Sequence, residues 1–231
     1  MQGILRRIAQ RVCCAYRTVS FVAASLISGT PPVEFQARRL AIVYFRTRNA
    51  IEVDEEISPG TRAKWYREAK QQVLSDWRES LMKLNHTHPS FRLREALVDR
   101  LKEWVNRRHG WVTYHMTQFL TNHGCFNEFL HKIRKADSAI CYHCLDAVDT
   151  AQHTLQFCSA WSADRTELTR VIGDQLDLPS VIESILDSID KWRAFSVFCT
   201  KVLTCKEAAE RQRQAANRKQ ITGHMDSEIS E

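Results

Sequence analysis

Glycine and proline are scarce, seven and five residues in 231. So few breakers leave long stretches without punctuation, which speaks against a turn-rich fold of many short strands. Long apolar runs are missing as well. The longest apolar-leaning stretch, residues 19–27, is interrupted by serines and falls well short of the roughly 18 residues that a membrane-spanning helix needs, so no membrane partner is expected. Residues 1–11 hold three arginines and no following apolar block, which is not the pattern of a secretory signal. The signatures of common catalytic sites are also missing. There is no glycine-rich phosphate loop, no Gly-x-Ser-x-Gly, no His-Glu-x-x-His, and no adjacent aspartates preceded by an aromatic residue. No catalytic residue and no small-molecule substrate are assigned from the sequence.

Positive charge is plentiful and unevenly placed. Lys and Arg number 33 against 27 Asp and Glu, a net charge of +6. Residues 1–50 carry eight arginines and one acid, Glu34, so this segment alone accounts for +7. Concentrated positive charge suits a polyanion, because neutralising phosphates releases their counterions; a solvated helix face is the plain alternative. Eight cysteines are present. Without a secretory signal the chain is expected in an intracellular, reducing compartment, where spaced Cys and His point to metal rather than disulfides.

Between the few breakers, apolar residues recur at intervals of three and four, the period of a helix. The spacing predicts a mainly α fold: a helical, bundle-like region, then a small metal knuckle, then C-terminal helices. Leu5, Ile8, Val12, Tyr16 and Val19 line a first helix, stopped at Gly29, with Thr30 and Pro31 opening the next, to about residue 49. A polar loop covers 52–60. A third helix, about 61–84, stacks Trp65, Ala69, Val73 and Trp77 on a core stripe, and a fourth, 90–108, does the same with Leu93, Leu97, Leu101 and Trp104. Short helices follow at about 113–122 and 126–135, and later ones at about 162–172, 180–187 and 190–217. Two short strands beside the metal knuckle are the sole strand candidates. Cys13, Cys14, Cys199 and Cys205 are read as helical packing residues. Glu207, Glu210, Arg211 and Arg213 are read as exposed on the last helix, with fraying after about residue 220. Three parts are expected: 1–108, a basic helical region; 109–217, the knuckle with the C-terminal helices; and 218–231, a flexible tail.

The chemistry is concentrated at Cys141-x2-Cys144-x8-His153-x4-Cys158. Two cysteines separated by two residues can turn back and offer both sulfurs to one ion, and a helix opening at Asp149 brings His153 and Cys158 near one another. Three thiolates and an imidazole fill a tetrahedral shell and favour one Zn2+ ion. A full protein shell leaves no place for a reactive water, so the ion is structural. His143, His123 and Cys125 lie close enough in sequence to act as substitute ligands, and buried structural thiols are the plain alternative.

Three segments resemble a known family. Ala15-Tyr16-Arg17-Thr18-Val19-Ser20 with residues 29–34, then His109-Gly110 and Thr117 to Phe126 with Phe129-Leu130, and finally the Cys141-to-Cys158 cluster with Asp149 to Leu155 are similar, in order, to the part of non-LTR (LINE-type) retrotransposon reverse transcriptases that follows the polymerase palm. The resemblance implies a role in target-primed reverse transcription, RNA or DNA as partner, and a nuclear location when engaged with target DNA. It also implies that polymerase and endonuclease carboxylates lie upstream of the matching segment. The chain is accordingly read as a detached or truncated C-terminal portion of an RNA-directed DNA polymerase, with none of its active-site residues. Phosphate contacts are expected from Arg6, Arg7, Arg11 and Arg17, and from Arg107, Arg108, Lys132, Arg134 and Lys135 around the knuckle; Tyr142 or Trp161 are candidates to stack on unpaired bases. The competing readings are a zinc-stapled protein-interaction module, whose basic face meets acidic protein, and an inert retrotransposon relic.

Overall fold

The computed structural model describes the backbone of residues 2–228 and the side chains of 3–217; the expected tail, 218–231, lies outside the described side chains. Among the described residues eleven α-helices form the fold: α1 (Gln2–Val12), α2 (Phe21–Ser28), α3 (Val33–Glu52), α4 (Pro59–Met82), α5 (Phe91–Leu97), α6 (Leu101–Asn106), α7 (Tyr114–Thr121), α8 (Asn127–Lys132), α9 (Ser162–Ile172), α10 (Leu178–Asp187) and α11 (Ile189–Glu228). Among the described residues there is no strand, only one isolated antiparallel bridge, between Ile140 and Val148. The mainly helical expectation holds, and the two short strands reduce to that bridge.

Local chemistry explains several helix ends. Ser20, Ser58, Thr113 and Asp177 each cap a helix by accepting a backbone N–H through the side chain. Gly29 ends α2 at φ 65°, with its own N–H and that of Thr30 returning to carbonyls of the last turn. Two expected details differ. The chain does not continue as one helix to Val19: α1 stops at Val12 and Cys14 turns left-handed at φ 51°. Side chains of α1 stabilise this break, since Arg6 and Gln10 both donate to the carbonyls of Arg17 and Val19. The next helix starts at Val33 after Pro32, not at Thr30 and Pro31.

One cluster of buried side chains runs from Ala9 to Leu203. α11 is its spine, packed on α7, α9 and α10. Phe195 and Phe198 of α11 meet Phe119 of α7 at 6.3 and 5.8 Å between ring centroids, and Trp192 meets Trp104 of α6 at 5.6 Å. Rings fully removed from water here each contribute on the order of 2–3 kcal/mol. Of the expected stripes, Ala69, Val73 and Trp77 are buried while Trp65 is only partly so, and Leu93, Leu97, Leu101 and Trp104 are all buried. α3 packs chiefly on α4 and leaves Leu40, Tyr44 and Phe45 exposed. No described helix is long and apolar enough to cross a membrane. Of the four cysteines read as packing residues, Cys13 and Cys199 are buried, whereas Cys14 and Cys205 are exposed. Glu210 is buried rather than exposed, with Arg213 and Gln214 donating to its carboxylate.

Candidate metal centre and basic surface

The first half of the centre is a tight turn. The N–H of Cys141 donates to the carbonyl of Ala147, and that of Leu145 donates back to Cys141, with Leu145 left-handed at φ 60°. This reversal brings the two cysteine sulfurs round to one side. The second half departs from an ordinary helix. His153–Phe157 forms a π-helical turn, in which the N–H of Cys158 reaches back five residues to the carbonyl of His153 at 2.8 Å. In an α-helix two residues five apart point well away from each other, and the wider turn brings them back to one face. Thr150, rather than Asp149, caps this segment by accepting the His153 N–H. Arg165 of α9 donates to the carbonyls of Leu155 and Cys158 and so holds the turn from outside.

The four donor atoms of Cys141, Cys144, His153 and Cys158 lie within 4.8 Å of one another. The Cys141 and Cys158 sulfurs are 3.9 Å apart, and Cys144 Sγ is 3.3 Å from His153 Nε2. Tetrahedral coordination at ordinary zinc–ligand lengths requires about 3.8 Å between sulfurs and about 3.6 Å between sulfur and nitrogen. The cluster fits that frame and could hold a metal ion. Cys141 and Cys158 are fully buried, and His153 nearly so. Burial pushes the Cys158 thiol up to about 12 and raises Cys141, although backbone N–H groups of the turn oppose the latter. At Cys144 burial also raises the thiol, but backbone N–H groups of Asp146 and Ala147 help to bring it below the ordinary value. Burial lowers the pKa of His153, keeping the imidazole neutral, the form that ligates. A cation here offsets the cost of ionising buried thiols. His143, His123 and Cys125 stand outside the group: His143 lies against Trp161, and His123 against Phe129.

Asp149 serves the centre from behind. Its carboxylate is 2.8 Å from Lys206 Nζ of α11 at both oxygens, and it accepts from the Asn127 N–H and the Thr154 hydroxyl. Sequence reading missed Lys206. The signal is that it falls on the apolar stripe of α11, after Cys199, Val202 and Leu203.

The nine basic candidates separate into two groups. Arg6 is committed to the carbonyls of Arg17 and Val19. Arg107 stacks over Trp104 at 4.1 Å and Trp192 at 5.2 Å, donates to the Trp104 carbonyl, and has its pKa lowered to about 10 by burial. Arg7, Arg11, Arg17, Arg108, Lys132, Arg134 and Lys135 are exposed, and none of them forms an ion pair among the described residues. Of the stacking candidates, Trp161 is buried and Tyr142 is covered by Arg213 at 4.3 Å. Trp111 stands out instead. It is 91 % exposed, while its carbonyl accepts from Trp192 Nε1 and Gly110 lies against the Trp192 ring. The sequence signal is an aromatic residue directly after Arg108-His109-Gly110.

No family model and no solved structure matches the chain. Two curated proteins do. A retrovirus-related Pol polyprotein from the type-1 retrotransposable element R1 4 of Nasonia vitripennis is 25 % identical over 221 residues, covering 91 % of this chain and 54 % of that protein. A putative 115 kDa protein in the type-1 retrotransposable element R1DM of Drosophila melanogaster is 26 % identical over 218 residues, covering 83 % of this chain and 19 % of that protein. The chain thus spans about half of one relative and a fifth of the other. Over most of its length it is similar to proteins of R1-type retrotransposable elements.

Proposed function

We propose that the chain is a nucleic-acid-binding portion of a retrotransposon Pol-like protein, organised around one structural zinc ion and without a catalytic centre of its own. The observation that carries this reading is the convergence of three buried or half-buried thiols and one imidazole at tetrahedral spacing. Cys141, Cys144, His153 and Cys158 fill the shell of such an ion, whose role when bound is to cross-link the turn to the π-helical segment. The exposed, unpaired bases on both sides of the chain, from Arg7 to Lys135, supply phosphate contacts that give affinity without choice of sequence. The similarity to proteins of R1 retrotransposable elements supports nucleic acid as the partner.

Two measurements test the reading together. Metal analysis of the purified, reduced chain is expected to find one zinc per molecule. A mobility shift with single-stranded RNA and with nicked DNA is expected to show binding that weakens steeply with salt, in proportion to the number of phosphates contacted. Absence of zinc removes the metal assignment, and salt-independent or absent binding removes the nucleic-acid assignment. A protein-interaction module is favoured by one observation, the exposed Leu40, Tyr44 and Phe45 on α3. That module predicts no shift with RNA or DNA at low salt.

A further inference from the structure

The first two of the three resembling segments lie about 100 residues apart in sequence; residues beside them are hydrogen-bonded together, and the segments themselves line one cleft, the first through Thr18 and Ser20 and the second through Leu120 to His123 and Phe129. Thr117 Oγ1 donates to the Cys13 carbonyl, the Tyr16 and Tyr114 hydroxyls are hydrogen-bonded, and Ser20 Oγ pairs with Ser90 Oγ at 2.5 Å. The cleft is open, about 580 Å³ in volume, between α2, α5, α7 and α8. This is the size of a small-ligand site rather than a packing defect.

The lining combines three kinds of group. Leu93, Leu120 and Phe129 give an apolar wall, and His123 lies against Phe129 at 4.6 Å between centroids. Ser90, Thr121 and Asn122 add polar groups, and Lys132 adds a positive charge. Glu128 also lines the cleft, but its carboxylate accepts from the Asn122 side chain, and half-buried Arg92, which donates to the Phe119 and Leu120 carbonyls, lies in the same wall. The chain then runs from Lys132 and Ile133 into exposed Arg134 and Lys135, and from Thr18 back into exposed Arg17. An apolar and aromatic interior and a basic approach fit the base and phosphate of one nucleotide. The Ser90, Thr121 and Asn122 side chains are held by Ser20, by the Thr117 carbonyl, and by Glu128 and the Ala151 N–H, respectively.

We infer that this cleft receives an unpaired nucleotide of a bound single strand, with the base against Phe129 and Ile133 and the flanking phosphates toward Lys132, Arg134 and Lys135. The inference rests on the nucleic-acid reading above and gives it a place on the molecule. A fully paired duplex cannot offer a free base, so the cleft confers a preference for unpaired over paired nucleic acid.

The test uses the full chain and a thiouridine-substituted single-stranded RNA of about a dozen nucleotides, with its blunt duplex as comparison. Ultraviolet cross-linking followed by peptide mapping is expected to place the linked base on residues 118–133. Thr18→Trp fills the exposed rim of the cleft without touching a buried group, and is expected to weaken single-strand binding about ten-fold while leaving the weaker duplex binding unchanged. Lys132→Ala is expected to weaken single-strand binding and reduce its salt slope by about one. Cross-links confined to other peptides, or equal single-strand affinity in Thr18→Trp and the parent, overturn the cleft assignment while leaving salt-dependent binding intact. No binding of either RNA by the zinc-loaded parent overturns the nucleic-acid reading itself, and the cleft with it.

Discussion

Lys206 and Asp149 form an ion pair that is almost wholly withdrawn from water, with Lys206 Nζ 2.8 Å from each carboxylate oxygen and both side chains 2 % exposed. The pair joins α11 to the segment from which His153 and Cys158 project. The remaining capacity of the carboxylate is used by the Asn127 N–H and the Thr154 hydroxyl, so it is a satisfied network rather than an isolated pair. Lys206→Met leaves a buried carboxylate without its counter-charge and is expected to cost about 3–5 kcal/mol in urea unfolding. Adding Asp149→Asn to that variant is expected to cost less than the two single changes summed, because the second removes the charge that the first orphaned. Strict additivity would show that the two groups do not act as a pair.

Removal of the metal is expected to weaken the whole core and not only the turn. Cys141, Ala151, Leu155 and Cys158 belong to the same buried cluster as Trp104 and Phe195. Loss of a structural zinc forfeits a binding free energy that is about 10 kcal/mol or more in isolated zinc modules. Unfolding of the reduced chain with and without a chelator, followed by circular dichroism, should show a lower and broader transition in the stripped protein. Cys144→Ser should reproduce that loss. Exposed Cys205→Ser should leave the transition within about 0.5 kcal/mol of the parent. An unchanged transition on stripping would mean that the four residues hold their place without an ion.

Gly110 occupies a position where a side chain has two reasons not to fit. Its φ is 74°, in the left-handed region, and a Cβ there would lie inside the van der Waals envelope of the Trp192 indole. Gly110→Ala combines backbone strain with overpacking and is expected to cost about 2–4 kcal/mol. Gly60, in the first turn of α4, has only the Ser58 hydroxyl within reach of such a Cβ. Gly60→Ala should therefore be neutral or stabilising by up to about 1 kcal/mol. Thermal unfolding of the two variants side by side checks the contrast.

How much of this was legible in the sequence depends on how local the cause is. The buried stripe from Leu93 to Trp104 and the bounds of α9 follow from helical period, and the structure agrees, although the single helix expected at 90–108 is broken into α5 and α6 by a 3-10 turn at Val98–Arg100. The four clustered residues were legible from spacing, but the frame that unites His153 with Cys158 was not. A π-helical turn costs an ordinary helical hydrogen-bond pattern, and here Arg165, twelve residues after His153, donates to the carbonyls of Leu155 within the turn and Cys158 just after it. The break after α1 escaped for the same reason. Ile8, Val12, Tyr16 and Val19 keep helical spacing, while Arg6 and Gln10 reach across to fix a turn at Cys14. Lys206 reads as a solvated base until its partner, 57 residues away in sequence, is known.

Trp111 combines a rigid backbone with a ring in solvent. Its carbonyl is fixed by the Trp192 indole N–H at 3.2 Å, and Gly110 beside it is wedged on the same indole, yet the ring is 91 % exposed. An indole left in water gains nothing from burial, so Trp111→Ala is expected to change stability by no more than about 0.5 kcal/mol. In the nucleic-acid reading the exposed ring, next in the chain to Arg108, His109 and Gly110, stacks on an unpaired base. The same change then weakens binding of single-stranded RNA by about 1–2 kcal/mol, while Trp111→Phe keeps most of the affinity. A fluorescence titration of the parent and both variants, with urea unfolding run in parallel, separates the possibilities. Loss of binding with unchanged stability identifies a contact residue. Unchanged binding in both variants removes Trp111 from the interface, and a large loss of stability shows that the ring is packed in solution against a surface that leaves it uncovered here.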